Sequence, residues 1–212
     1  MNFIFLYFEI AAFIYGLIYY KRIKKTSFGK LVWLIAIVVL AEVIGTYQRR
    51  VLHVPNVQVY NVATLIEFIL YGLIFSEIGK PSKWSWFSKY FVFIYPIIWL
   101  VNITLFQGFQ VFHTYTMSLG SFCMIAMSCF YFIGIIDKEE KTDLLKSAPF
   151  WFSSGILIFY SSDLFNSFFL RNTHKIILFN GFTLFKLINT ILNIILYSCF
   201  IKVFNISKRI NS

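Results

Sequence analysis

Seven stretches of the chain are apolar over lengths that suit a helix crossing a bilayer, about 20 residues each. They fall at roughly 2–20, 30–48, 57–77, 86–106, 112–136, 149–170 and 177–204, with short polar segments between them. In the last stretch, at about 100° per residue, Thr183, Lys186, Asn189, Thr190, Asn193 and Tyr197 share one stripe. Leu184, Phe185, Ile188, Ile191, Ile195 and Leu196 cover most of the remainder. That apolar face is too wide for a soluble helix, whose apolar stripe covers only the side turned to the core. A lipid-embedded helix that turns polar groups toward a bundle interior has this pattern. The pattern predicts an all-α fold: one polytopic membrane domain over residues 1–212, built as a seven-transmembrane-helix bundle. Pro96 removes a backbone donor within the fourth stretch, so a kink is expected there. Thr114, Ser118, Ser121 and Ser128 share a face of the fifth, which suits close helix contact.

Composition agrees with lipid as the solvent. The chain is 59% hydrophobic, 21% aromatic and only 13% charged, with a mean hydropathy of +0.74, outside the range of soluble globular domains. The connecting segments are too short for a separate water-soluble domain, so any chemistry belongs in the bundle or at its rims. Cys123, Cys129 and Cys199 lie inside apolar stretches and read as small buried hydrophobes. The N-terminal run MNFIFLYFEIAAFIYGLIYYKR lacks a basic leader and carries Glu9 early. It reads as the first spanning helix and not as a cleaved signal peptide.

The net charge of +10 changes the picture only through its distribution. The basic residues lie between apolar stretches and not on one continuous surface, which speaks for topology and against nucleic acid as a partner. Lys21, Arg22, Lys24, Lys25, Lys30, Lys80, Lys83, Lys89, Lys138, Lys141, Lys146, Lys202, Lys208 and Arg209 fall on one side; Arg49, Arg50, Arg171 and Lys175 fall on the other. Fourteen against four predicts an outside N-terminus and a cytoplasmic C-terminus in a cell or inner membrane. Trp33, Trp84, Trp86 and Trp151 then gather at the inner boundary as an aromatic belt.

Five charged residues lie within the apolar stretches: Glu9, Glu42, Glu67, Asp163 and Lys186. A rise of about 1.5 Å per residue sets Glu9, Glu42 and Asp163 roughly 10 to 12 Å from the outer loops, and Glu67 and Lys186 about 16 Å. All five are therefore expected around a polar cavity open to the outside. A cation near the bilayer centre costs about 2.5 to 3.5 kcal/mol, so the rest of the protein has to compensate Lys186; in the structural reading it pairs with Glu67 or Asp163. Tyr60, Asn61, Thr64, Glu67 and Tyr71 share a helix face with Glu67 at its centre. Such groups either fix helix packing as ion pairs or form a ligand, substrate or proton site. Four acids to one base is more acid than pairing requires. The candidate ligand-binding residues are Lys186, Glu67, Glu42, Asp163, Asn193, Asn189, Tyr71 and Asn61. No cofactor motif is present, and His53, His113 and His174 have no local ligand spacing, so no metal site is assigned.

Helix six contains Gly155-Ile-Leu-Ile-Phe159-Tyr-Ser-Ser162-Asp163. This run resembles a segment of the lysoplasmalogenase family, multi-helix membrane enzymes that hydrolyse the alkenyl ether bond of lysoplasmalogens. The resemblance implies a reaction centre that includes Asp163 and Ser162, with Asp163 and Glu67 or Glu42 as acid and base. It covers about nine of the 212 residues. Where that family shows a Gly-Asp in an early helix, this chain has Glu42-Val-Ile-Gly45-Thr46, and where it shows a His before Tyr, this chain has Glu67 before Tyr71.

The residues themselves predict a binding or sensing protein for a small amphiphile or lipid headgroup. A membrane-embedded alkenyl ether hydrolase is the first alternative and a proton-coupled transporter the second. Membrane lipids are the expected partners, together with a partner protein of the membrane or of the soluble phase.

Overall fold

The computed structural model describes residues 4–79, 84–136, 143–169, 177–179 and 182–210. The helices are α1 (Ile4–Ile18), α2 (Tyr20–Ile23), α3 (Gly29–Tyr47), α4 (Val57–Ile78), α5 (Ser85–Val101), α6 (Thr114–Ile136), α7 (Ala148–Phe169) and α8 (Leu184–Ile210). Single wide π-helical turns extend α3 over Gln48–Leu52 and α5 over Asn102–Phe106. Five of the described helical segments are long and apolar enough to cross a membrane: Gly29–Leu52, Val57–Ile78, Ser85–Phe106, Thr114–Ile136 and Leu184–Arg209. The apolar stretch of α1 is shorter, over Phe5–Ile18. The 22 residues of α7 are interrupted by Ser153, Ser154, Ser161, Ser162 and Asp163.

The last stretch differs from expectation. It does not run as one helix from residue 177, because Ile177–Phe179 pairs antiparallel with Phe182–Thr183 as a short ladder, β1 and β2. The β-branched and aromatic residues there suit a strand, and α8 begins only at Leu184. At the other places the apolar periodicity and the helices agree within a few residues, and α5 continues through Pro96.

The helices close on themselves. α8 packs along both α7 and α1, α1 on α3, α3 on α4, α4 on α5 and α6, and α6 on α7. The interior is aromatic: Phe68, Tyr71, Phe75, Phe152, Tyr160, Phe200 and Phe204 are buried together. Phe152 sits 5.1 Å from Phe75 and 6.1 Å from Phe200, ring centre to ring centre. The outward faces are apolar as well, with Phe93, Ile97 and Phe122 largely exposed. In water this much apolar surface would drive association, so lipid is the solvent that this exterior fits.

Pairs of side chains fix which helix ends lie together. Lys30 Nζ donates to Glu77 Oε1 at 2.6 Å, Trp84 stacks on Phe130 at 4.6 Å, and Phe132 meets Phe150 at 5.9 Å. Lys202 lies 5.7 Å from the Trp151 ring and Lys208 4.0 Å from the Tyr19 ring. One end of the bundle thus carries tryptophans and many basic residues. At the other end, Asn61 of α4 holds the segment before α6: its Nδ2 donates to Val111 O at 2.9 Å, and its Oδ1 accepts from His113 N at 3.1 Å.

Candidate functional site

Three helices bring carboxyl groups toward one region, and a fourth adds another. Glu9 on α1 is close enough to Glu42 on α3 and to Glu67 on α4 for their charges to interact, and Glu67 is likewise close to Asp163 on α7. Four acids that are distant in sequence form one electrostatic cluster. Their helices meet because α1, α3, α4 and α7 surround the same aromatic core.

Tyrosines accompany these acids. The Tyr60 hydroxyl donates to Glu42 Oε2 at 3.2 Å, and the Tyr160 hydroxyl donates to Glu67 Oε1 at 3.1 Å. The Tyr71 hydroxyl lies beside the Glu67 carboxyl yet closes no hydrogen bond, although it is fully buried. The Tyr197 hydroxyl approaches the Glu9 carboxyl, while Glu9 Oε1 is buried without a partner. Glu67, Glu42 and Asp163 are each half-buried and keep surface that a water molecule can reach.

Local packing explains the positions of the two donating tyrosines. Gly45 lies under Tyr60, where an added Cβ would stand 2.8 Å from the hydroxyl oxygen. Only glycine lets the ring close onto α3 and reach Glu42, one turn away. Tyr160 is wedged against Phe68 at 5.5 Å and edge-on to Tyr71 at 6.0 Å. Its ring is thus fixed on both sides, and its hydroxyl is aimed at α4.

The remaining candidates fall elsewhere. Lys186 is exposed, and it forms no ion pair with Glu67 or Asp163. The expected buried pair is therefore corrected: α8 starts at Leu184, so Lys186 sits in its first turn and has no depth of helix to carry it into the cluster. Asn61 has its amide taken up by the segment before α6 and is a structural tie. Asn193 Nδ2 donates to Asn189 O at 2.8 Å, and Thr190 Oγ1 donates to Lys186 O at 2.7 Å. The polar stripe of α8 is thus largely satisfied within its own helix. Gly155 packs against Cys199, where a Cβ would come within 2.9 Å of the cysteine Cβ, and so serves the contact of α7 with α8. His113 is buried with Nε2 2.8 Å from Gly108 O; His174 lies outside the described residues.

Glu9, Tyr60, Tyr160 and Tyr197 belong to the cluster but stand outside the candidate residues chosen from the sequence. Tyr160 precedes Asp163 by three positions on α7 and Tyr197 follows Asn193 by four on α8, spacings that put each pair on one helix face. That signal was available beside the charges. No known family, curated protein or solved structure matches the chain. The class that the fold itself defines is a predominantly helical protein with five described helices long and apolar enough to span a membrane, whose interior brings acids and phenols together.

Proposed function

We propose that this chain is a seven-helix membrane protein, its N-terminus outside and its C-terminus cytoplasmic, that binds a small amphiphile through a cationic headgroup. The observation that carries this reading is the unbalanced cluster itself. Glu9 is close to Glu42 and to Glu67, and Glu67 to Asp163, and no Lys or Arg among the described residues closes an ion pair with any of them. A headgroup ammonium would supply the missing charge. The phenol rings of Tyr71, Tyr160 and Tyr197 would face it, an arrangement that favours alkylated ammonium through cation–π attraction. The apolar core and the lipid-facing exterior would take the alkyl chain. The basic and tryptophan-rich end agrees with a cytoplasmic C-terminus, which turns the acidic cluster toward the outer half of the bilayer.

The test is thermal unfolding of the purified protein in nanodiscs with tetramethylammonium or lysophosphatidylcholine added, against sodium at equal ionic strength and lysophosphatidylglycerol. The reading expects stabilisation by the first two alone, and its loss in Glu67→Gln and Tyr71→Phe. Equal effects of lysophosphatidylcholine and lysophosphatidylglycerol would overturn it.

A second reading has support of its own in the proximity of Asp163 and Glu67. Two carboxyl groups at one site are what an alkenyl ether hydrolase needs, one to protonate the vinyl ether and one to activate water. Aldehyde release from lysoplasmalogen, abolished by Asp163→Asn, is its test.

A further inference from the structure

At the opposite end of the bundle from the acids, a cavity of about 260 Å³ is lined by Leu145, Lys146, Lys202, Asn205, Ile206 and Arg209. Against roughly 30 Å³ for a water in the liquid, this space takes a headgroup and not merely an ion. Lys202, Ile206 and Arg209 follow one another at spacings of four and three on α8, so they share one helix face. The short turn before α7 brings Lys146 to the same space.

Lys146, Lys202, Asn205 and Arg209 all carry donor groups at this lining. Lys208 Nζ donates to the Tyr15 hydroxyl at 2.7 Å, and that hydroxyl donates in turn to Asn205 Oδ1 at 3.2 Å. The relay fixes the Asn205 amide with its acceptor toward α1. Lys202 stands over the Trp151 ring at 5.7 Å, and the Trp151 indole is itself held by a 2.9 Å hydrogen bond from Nε1 to Leu145 O. The acid facing this group among the described residues is Asp143, 2.9 Å from Lys146 Nζ and largely exposed. Lys208 and Arg209 in the last turn of α8 offset the negative end of the helix dipole, which would otherwise repel an anion. Leu145 and Ile206 supply an apolar wall beside the donors.

We infer that this cavity binds the phosphate-bearing headgroup of an anionic glycerophospholipid at the basic rim of the bundle. Guanidinium and ammonium groups with an amide donor match phosphate oxygens, basic pockets between spanning helices suit anionic headgroups, and the apolar wall admits the start of the acyl chains. The inference does not rest on the proposed function, since it uses none of the acidic cluster.

Thermal unfolding in nanodiscs of phosphatidylcholine, with increasing fractions of phosphatidylglycerol, tests it. The wild-type protein is expected to gain stability in a saturable way. The double substitution Lys202→Gln with Arg209→Gln should shift that response to about 30-fold more phosphatidylglycerol, the effect of two surface cations. Unfolding in phosphatidylcholine alone shows whether the double variant is folded; Lys146→Gln, on the turn before α7, is the second variant and should weaken the response as well. An unchanged response in both variants would overturn the assignment. So would equal stabilisation by inorganic phosphate without the lipid.

Discussion

The hydroxyl of Tyr160 donates to Oε1 of Glu67 at 3.1 Å, joining α7 to α4 across 93 positions of sequence. Removing that hydroxyl keeps the ring contacts with Phe68 and Tyr71 but deprives a half-buried carboxyl of its donor. Tyr160→Phe is expected to destabilise the protein by about 1 to 3 kcal/mol, the cost of an unsatisfied interior group. Thermal unfolding in detergent against wild type measures it. A change below about 0.5 kcal/mol would mean that water replaces the phenol.

Gly45 makes a sharper test of the same region. A side chain there meets the Tyr60 ring and hydroxyl at 2.8 to 2.9 Å, and the tyrosine has to swing off α3. Gly45→Val should therefore break the Tyr60 bond to Glu42 and reduce the response to tetramethylammonium, with the helical content by circular dichroism unchanged. A variant that keeps the full response would separate Glu42 from the binding site.

What the chain discloses before folding depends on the range of the signal. Apolar length and 3.6-residue periodicity are local, so the spans of α3, α4, α5 and α6 were legible to within a few residues. The start of α8 was not: Ile177 to Thr183 is as apolar as a buried helix, and periodicity alone does not separate a short apolar strand from one. Glu42, Glu67 and Asp163 were recognisable as costly charges in apolar surroundings. Their convergence with Glu9 is a tertiary fact, set by which helices pack together. Lys186 drew attention for the same reason as the acids and belongs elsewhere, because its depth followed from a helix start that the β ladder displaces.

Asn61 carries a structural load that its place beside Glu67 conceals. Its amide satisfies both Val111 O and His113 N, so Asn61→Ala leaves two backbone groups unpaired near the end of the bundle. The expected loss is about 2 kcal/mol or more, read by thermal unfolding. The response to tetramethylammonium should persist in the folded fraction. Loss of that response with stability intact would return Asn61 to the ligand site.

Lys146 Nζ, hydrogen-bonded to Asp143 at 2.9 Å, holds the Asp143 carboxyl below the ordinary carboxylate range. A lowered folded value means that the pair's contribution is present above the unfolded carboxylate's titration and is lost as pH falls through the folded one. Both groups are exposed, so the contribution to stability is small and the titration itself is the readout. The carboxyl resonance of Asp143, followed by NMR on the labelled protein, should titrate at higher pH in Lys146→Gln than in wild type. Identical titrations would show that the pair does not persist in solution.

Lys186 gives the test that divides the two accounts of the intramembrane charges. If its ammonium were the counter-ion of the acidic cluster, removing it would leave a buried carboxylate uncompensated, at a cost of about 3 to 5 kcal/mol. Lys186 instead is exposed in the first turn of α8 and pairs with neither Glu67 nor Asp163. Substitutions at exposed positions away from special contacts stay within about 0.5 kcal/mol, and this is the expectation for Lys186→Gln in thermal unfolding. Glu67→Gln, measured alongside, should alter both stability and the response to tetramethylammonium. A loss at Lys186→Gln as large as that of breaking a buried pair would place its ammonium among the four acids, and the cluster would then already have its cation.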